Sequence, residues 1–511
     1  MTTSEVQQAG KVWLVGAGPG DPGLLTLRGA EVLADADLVL YDGLVNPLLL
    51  QMAKGNCERT ARARRGSTLI VPQNEINERL ISAARAGLKV VRLKGGDPCI
   101  FGRGSEESAA LQDAGIEFEI VPGITAATAA AEYAGFSFTH RDQSSAVALV
   151  TGQEADNRSP RLDFESLAKF PGTLVFYMGL SRIAELAGSL VEHGMSGETA
   201  TAVISEATLP SQRVLIGRLS SIAAAAVEAK MRPPSLIVVG ATVEQRGQKS
   251  WFEKLPLFGR TIMVMRPAEQ CNETALRISR AGGRPVVFPL ISIEPIDDEQ
   301  MQRVLAVLPR LHEFSWLVWT SVNGVHAFFR ALFSSSRDVR AIAGAKLACI
   351  GPATAAALRE YSLQADLVPR TYRGEALAQE LAERGVNGPV AWFRADRGRD
   401  VIPEILQNAG IELESIVVYR NCDAEIPEGF TSAELERQKV DWVCLTSPSI
   451  ARRFAAALIE TGGDPGQLSS RIACISPVTA AAAVECGLQV HLSAEEHTLE
   501  GLLAAIQNAS E

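Results

Sequence analysis

The first residues able to do chemistry sit in three glycine-bearing turns. Residues 12–15 are apolar and strand-like, and they run into Gly16-Ala17-Gly18-Pro19-Gly20-Asp21-Pro22-Gly23. A turn so rich in glycine lets backbone approach a ligand closely. One reading is a dinucleotide fold, with Asp42, at the end of the next strand, as the ribose-binding carboxylate. That fold wants glycine at the sixth position, where a helix N-terminus meets pyrophosphate. Here Asp21 puts an anion there, and Pro19 removes an amide donor. A purely structural turn is the other plain reading. The second turn is Leu93-Lys94-Gly95-Gly96-Asp97, which continues to Arg103 between Gly102 and Gly104. Bare backbone at Gly95 and Gly96 admits a flat ligand, and Asp97 is an acceptor for an ammonium or a ribose hydroxyl. The third, Val121-Pro122-Gly123-Ile124-Thr125-Ala126-Ala127, sets a small hydroxyl at a strand-to-helix junction.

Arginines are the cations best suited to carboxylate ligands, because the guanidinium fork binds them through two bonds. Arg103, Arg141 and the group Arg59, Arg62, Arg64 and Arg65 are candidates, with a solvated basic face as the alternative for the group. The net charge of -10 argues against a nucleic-acid partner, which wants a basic face. The 8 cysteines are scattered, with no Cys-x-x-Cys pair and no His-Glu-x-x-His motif. No metal is expected, and the thiols read as reduced, as in a cytoplasmic protein. Residues 1–10 lack an apolar signal region. No uncharged apolar run is long enough to span a membrane, so no membrane partner is expected.

Elements that would position these residues follow from the apolar pattern. Runs at 12–15, 38–41, 90–93, 174–178 and 236–239 alternate with alanine-rich amphipathic stretches. That alternation predicts an α/β fold with mostly parallel sheets. With 511 residues the chain exceeds one core. The best break lies near residue 257, where polar residues, Pro256 and Gly259 precede a fresh strand at 261–265; a softer one lies at 141–144. Two domains are expected, 10–250 and 258–511. The second holds an internal repeat. Thr320-Ser321 returns as Thr446-Ser447, 126 residues on, and residues 348–355 resemble 473–480, with Thr354 and Thr479 125 apart. Two similar lobes facing a cleft are expected. Each repeated turn opens a helix whose free amides and positive end suit carboxylates. Simple helix capping by Ser and Thr is the alternative.

In their order, the three turns resemble the tetrapyrrole methylase family, most closely the uroporphyrinogen-III C-methyltransferases, over about residues 10–250. Tyr41-Asp42-Gly43-Leu44-Val45, Pro72-Gln73-Asn74-Glu75-Ile76-Asn77, Thr139-His140-Arg141-Asp142, Phe176-Tyr177-Met178-Gly179 and residues 235–240 complete the match. The resemblance implies two α/β subdomains with S-adenosylmethionine folded between them, commonly as a homodimer. It implies a donor site of Pro19, Gly95, Gly96, Asp97, Thr125, Ala126, Met178 and Ala207. Arg103 becomes the group nearest the reacting ring, oriented by Glu106 one helical turn on, and Asp42 and Arg141 become substrate contacts. Cys99 and Ser105 stand where the family usually carries an aromatic and a glycine, and Thr68 where a histidine is common. A pyrrole carbon is the nucleophile and a sulfonium methyl the electrophile, so alignment rather than a catalytic triad is expected.

Residues 258–511 resemble uroporphyrinogen-III synthases. The matching stretches are Arg266-Pro267, Phe288-Pro289-Leu290, Thr320-Ser321-Val322-Asn323-Gly324-Val325, Gly351-Pro352-Ala353-Thr354-Ala355, Phe393-Arg394-Ala395-Asp396, Val418-Tyr419-Arg420, Thr446-Ser447-Pro448-Ser449 and Ser476-Pro477-Val478-Thr479-Ala480. Met265 replaces a usual threonine and Ser476 a usual glycine. The implied reaction takes hydroxymethylbilane, loses water, inverts the last ring and closes the macrocycle, with neither cofactor nor metal. Tyr419 is the implied aid to hydroxyl departure; a strand tyrosine with a buried ring is its alternative. Thr320, Ser321, Thr354, Thr446, Ser447 and Thr479 are the implied substrate contacts.

The second activity makes the substrate of the first. A fused chain would carry hydroxymethylbilane to precorrin-2, for siroheme or cobalamin, with small tetrapyrroles as its partners. Three alternatives stand beside this: a later precorrin methyltransferase in the first half, a degenerate non-catalytic module in the second, and a fusion with a dehydrogenase-ferrochelatase, which needs a nucleotide-binding segment ahead of Val12.

Overall fold

A computed structural model describes residues 10–60, 71–152, 162–398, 401–427 and 429–509. Arg62, Arg64, Arg65 and Thr68 lie outside the described residues. Two compact units result, Met1–Thr261 with Ala275–Pro285, and Ile262–Thr274 with Val286–Glu511.

The N-terminal unit holds two five-stranded sheets. The first orders Asn56–Arg59, Leu38–Tyr41, Val90–Lys94, Val12–Gly16 and Phe118–Val121, all parallel. Its central strands are near-continuous apolar runs because helices cover both faces. Arg92 and Lys94 break that rule: both are buried within it. The second sheet orders Val147–Thr151, Thr173–Tyr177, Ser235–Val239, Ala200–Ser205 and Arg213–Arg218. Only its first pair is parallel. This departs from the mostly parallel expectation. Residues 206–212 alone join Ala200–Ser205 to Arg213–Arg218, too short a link for a parallel crossover, so the strands fold back as a hairpin.

The C-terminal unit also holds two sheets, one per lobe. One orders Arg284–Val287, Thr261–Val264, Trp442–Leu445, Arg471–Cys474 and Val490–Ser493. The other orders Ile291–Glu294, Leu413–Asp423, Val390–Ala395, Trp316–Trp319 and Lys346–Cys349. The chain starts one lobe, builds all of the other, and returns to finish the first. Ile291–Glu294 runs antiparallel to the end of Leu413–Asp423 at the crossing.

The repeat is visible element by element. Strand Trp316–Trp319 and helix Val322–Ser334 recur 126 residues on as Trp442–Leu445 and Pro448–Glu460. Lys346–Cys349, Pro352–Glu360 and Gly374–Glu383 recur 125 on as Arg471–Cys474, Pro477–Glu485 and Leu499–Asn508. Among the described residues no cluster of side chains is suited to a metal ion, and no helix is long and apolar enough to cross a membrane.

Candidate active sites

Turns after three neighbouring strands close on one another at the carboxyl edge of the first sheet, the edge where open α/β sheets bind ligands. Gly96 N–H donates to Gly18 O at 2.7 Å, and Gly18 N–H returns a bond to Gly96 O at 3.2 Å. Gly123 packs on Gly96 and on Gly16: a Cβ there would lie 2.3 Å from Gly96 O and 2.6 Å from Gly16 Cα. Asp97 staples the group, accepting from Gly123 N–H at 3.0 Å and from Cys99 N–H at 2.8 Å. Each carboxylate oxygen keeps further acceptor capacity.

Asp21 has a different task. Its carboxylate accepts from Gly23 N–H and from the Tyr133 hydroxyl, both at 2.7 Å, and its own N–H donates to Thr208 Oγ1 at 3.1 Å. An anion tied down here, where a pyrophosphate would sit, removes the dinucleotide reading. The same bonds join the first glycine turn to the helix Ala126–Ala134 and to the turn after Ala200–Ser205.

Thr125 stands at the N-cap of Ala126–Ala134 but makes no capping bond. Tyr177, from the second sheet, caps the helix in its place. Its hydroxyl accepts from Ala127 N–H at 2.9 Å and lies 2.7 Å from Thr125 Oγ1. Burial raises the Tyr177 pKa, so the phenol stays protonated. The Phe101 ring packs on Tyr177 at 4.9 Å. Ala126 and Ala207 pack against one apolar cluster. Phe101, Arg103, Met178, Glu206 and Thr208 all have left-handed backbones, with φ between 51° and 67°. Such strain in non-glycine residues gathers at functional sites. Of the residues assigned to the donor, Pro19, Gly95, Gly96 and Asp97 stand on turns that bond to one another, Thr125 lies against Tyr177, the neighbour of Met178 in the chain, and Ala126 and Ala207 share an apolar cluster.

Arg103 precedes helix Gly104–Asp113 and is half exposed. Its Nε donates to Glu106 Oε1 at 2.6 Å, and a second guanidinium nitrogen donates to Oε2. Arg141 is exposed in a turn closed by His140 N–H to Ser144 O at 2.9 Å. Asp42 is tied to Arg92 and to Thr60, part of a buried ionic set with Lys94 and Glu107 that sequence reasoning missed. The available signal was Val90-Val91-Arg92-Leu93-Lys94. Charges two apart in a central strand share one face, and in an apolar strand they demand buried partners.

In the C-terminal unit the repeated turns follow strand ends. Ser321, Ser447 and Ser476 cap their helices, accepting from Gly324, Ile450 and Thr479 N–H at 2.9, 3.2 and 3.3 Å. Thr354 and Thr479 are buried inside their first helical turns, and Thr479 Oγ1 lies 3.2 Å from Ser476 Oγ. Thr320 Oγ1 accepts from Trp392 Nε1 at 3.1 Å. Thr446 is partly exposed. Tyr419 is placed by a register shift, since Arg394 faces Val417 but Ala395 faces Tyr419, which skips Val418. Such a bulge re-aims a side chain. The Tyr419 hydroxyl lies 2.9 Å from Ser321 Oγ. Burial pushes the Tyr419 pKa up, against the Ser321 bond. Tyr419 lines a cleft with Glu294, Asn323, His326 and Arg330. His326 and Arg330 carry no motif and were missed; they stand four and eight residues after Val322, the first residue of a helix opened by a recognised turn.

Two families of known proteins match the chain, one after the other. The family of Tetrapyrrole (Corrin/Porphyrin) Methylases matches residues 11–223, and that of Uroporphyrinogen-III synthase HemD matches residues 272–504. The chain is 34% identical to the porphyrin biosynthesis protein HemD of Ruminiclostridium josui over 97% of each chain. It is 39% identical to the uroporphyrinogen-III C-methyltransferase of Bacillus subtilis (strain 168) over 66% of this chain and 68% of that one. A solved structure of uroporphyrin-III C-methyl transferase from Thermus thermophilus, complexed with S-adenyl homocysteine, is 39% identical, covers 46% of this chain and 99% of its own, and has a TM-score of 0.41.

Proposed function

The chain belongs to the family of porphyrin biosynthesis proteins that join a tetrapyrrole methylase to a uroporphyrinogen-III synthase, and from that premise we propose that it closes hydroxymethylbilane to uroporphyrinogen III and then methylates the product twice, giving precorrin-2. The observation that carries this reading is the presence of both sets of turns in one chain, each at the carboxyl edge of its sheets.

S-adenosylmethionine, when bound, supplies an electrophilic methyl group. The residues suit it. Gly96, at φ +72, leaves room beside a helix start, where a Cβ would stand 3.8 Å from Ala126 N. Pro19, Gly95, Gly96, Asp97, Thr125, Ala126, Met178 and Ala207 would hold the donor. Arg103, kept in place by Glu106, is assigned a substrate carboxylate and help in proton loss from the methylated ring. Arg141 is assigned a second carboxylate. Changing Tyr177 to Phe removes the cap on Ala126–Ala134 and keeps the ring. The unit should lose about 1–2 kcal/mol, and S-adenosylhomocysteine should bind about tenfold more weakly. Calorimetric titration and thermal melts check this, and unaltered affinity would detach Tyr177 from the donor site.

In the synthase half, the Tyr419 phenol is neutral and buried, with Ser321 as its hydrogen-bond partner. It is assigned to donate a hydrogen bond to the departing hydroxyl; Thr320, Ser321, Thr354, Thr446, Ser447 and Thr479 are assigned the substrate carboxylates. No cofactor is assigned here. Tyr419→Phe should slow type III formation by about 10²-fold, so that spontaneous closure to the type I isomer dominates. Isomer analysis by chromatography reads the ratio, and an unchanged ratio removes Tyr419 from the chemistry.

We assign a homodimer through the methyltransferase half, a cytoplasmic setting, and siroheme or cobalamin as the destination. The deciding experiment incubates the full chain with porphobilinogen, porphobilinogen deaminase and S-adenosylmethionine. A doubly methylated type III product supports both activities. Type I products alone leave the C-terminal unit as a non-catalytic module. Unmethylated type III product overturns the methyltransferase.

A further inference from the structure

Helix Ala126–Ala134 starts at the turns assigned to the methyl donor, and its far end is held by side chains from elsewhere in the chain. The last carbonyls of a helix have no further turn to donate to them. Glu132 O accepts from Trp251 Nε1 at 3.1 Å, besides Gly135 N–H at 3.2 Å. Tyr133 O accepts from Gln212 Nε2 at 3.1 Å, and Ala134 O accepts from the Arg246 guanidinium.

Gln212 belongs to a closed polar ring. Its Oε1 accepts from Thr208 N–H at 3.0 Å, and Thr208 Oγ1 accepts from Asp21 N–H at 3.1 Å. Asp21 Oδ2 accepts from the Tyr133 hydroxyl at 2.7 Å, and Tyr133 O leads back to Gln212. Tyr133, Thr208 and Gln212 are all buried. Burial first, and then the bond to Asp21, raise the Tyr133 pKa, so its phenol remains a donor. Asp21 is thereby fixed against Thr208. Pro19 stands two residues before Asp21, and Ala207 one before Thr208. Both are assigned to the donor.

Tyr133 in turn takes its place from residues 246–258, which follow the stretch matched to the methylase family, 11–223. The Trp251 and Phe252 rings pack on Tyr133 with centroids at 4.9 and 4.8 Å, and Phe258 backs Phe252 at 5.3 Å. Arg246 pairs with Glu253 at 2.7 Å, with side chains 7% and 10% exposed. Glu253 also accepts from Ser250 N–H at 2.8 Å, which fixes the turn that bears Trp251. A seat whose walls are set before the ligand arrives loses less freedom on binding. Opening the ring frees the Pro19 and Ala207 turns to move apart.

We propose that Tyr133 is a positioning residue of the methyltransferase, setting the spacing of the Pro19 and Ala207 turns around the donor, and that residues 246–258 are the strap that holds it there. The proposal rests on the methyltransferase reading above for the identity of the donor. Tyr133 acts through Asp21, and Trp251 acts through Tyr133.

The test uses the full chain and its Tyr133→Phe, Trp251→Ala and Trp251→Phe variants. Tyr133→Phe keeps the ring and removes the bond to Asp21. It should weaken S-adenosylhomocysteine binding about tenfold by calorimetry. The KM for S-adenosylmethionine should rise in step, with kcat unchanged. Trp251 is half exposed, and Trp251→Ala should fold and show the same loss. Trp251→Phe, which restores a ring without the N–H, should recover part of it. Leu190→Ala is the control. Leu190 is buried in the apolar cluster of helix Ile183–Glu192, and its loss should lower the melting temperature at least as far while leaving donor affinity parental. Parental affinity in Tyr133→Phe overturns the proposal, and parental affinity in Trp251→Ala overturns the strap. An equal loss of affinity in Leu190→Ala also overturns it, because general destabilisation would then suffice. So does a fall in kcat at unchanged KM. A parent chain that binds S-adenosylhomocysteine without methylating uroporphyrinogen III overturns the methyltransferase reading, and the affinity ratios still decide the role of Tyr133. A parent chain that does not bind it overturns both.

Discussion

Glu107→Ala should lower the melting temperature of the N-terminal unit by roughly 10 °C. Glu107 is the common carboxylate of Arg92 and Lys94, and its side chain is 0% exposed. Removing it leaves two cations in a dry interior with only Asp42 to offset them, a loss of about 3–5 kcal/mol. Glu106 is the internal control. It neighbours Glu107 in sequence, yet its side chain is 48% exposed and its pair with Arg103 is screened by water. Glu106→Ala should move the midpoint by no more than about 2 °C. Differential scanning calorimetry compares the two, and equal shifts would mean the buried charges do not act as one set. The acid limb has a defined sign. Asp42 has a depressed pKa in the folded chain. Its contribution is present above the unfolded carboxylate value of about 3.9 and is lost as pH falls through the lower folded value. Stability of this unit should therefore fall away below about pH 4, and less so in Asp42→Asn.

Gly123→Ala should abolish donor binding for a reason that involves no charge. The added Cβ would stand 2.3 Å from Gly96 O and 2.6 Å from Gly16 Cα. These are backbone atoms in turns after three neighbouring strands, and no side-chain rotation relieves the overlap. The turns must part, at about 1–3 kcal/mol or more, and S-adenosylhomocysteine affinity should fall by more than about 100-fold, equivalent to at least about 2.7 kcal/mol. Gly188 offers the contrast. It lies in helix Ile183–Glu192, where a Cβ would meet nothing within 4 Å. Gly188→Ala should stabilise the chain by about 0.5–1 kcal/mol and leave donor affinity unchanged. Titration calorimetry reads the pair, and retained affinity in Gly123→Ala would show that this glycine contact does not shape the donor seat.

Local pattern carried much of this protein. Apolar runs at 12–15, 38–41, 90–93, 174–178 and 236–239 became strands Val12–Gly16, Leu38–Tyr41, Val90–Lys94, Thr173–Tyr177 and Ser235–Val239. Such runs are legible because a strand covered on both faces needs unbroken hydrophobicity. The repeat was legible because each copy must turn sharply from strand to helix, and Ser, Thr, Gly and Pro are the residues that do so. Asp21 was readable as incompatible with a dinucleotide, because an anion cannot sit against a phosphate.

Partnerships at a distance were decided by the tertiary structure alone. Nothing near Thr125 says that its helix is capped from Tyr177, 52 residues away. Nothing near Arg92 names Asp42, 50 residues before it, or separates Glu107, which is buried, from Glu106, which faces water. A one-residue step on a helix turns a side chain by about 100°, and only the packed sheet says which direction is inside. The three antiparallel pairs of the second sheet and the register shift that aims Tyr419 belong to the same class. Propensity and periodicity act within a few residues and so can be read from the chain. Ionic pairing, borrowed caps and strand order depend on which surfaces meet after collapse.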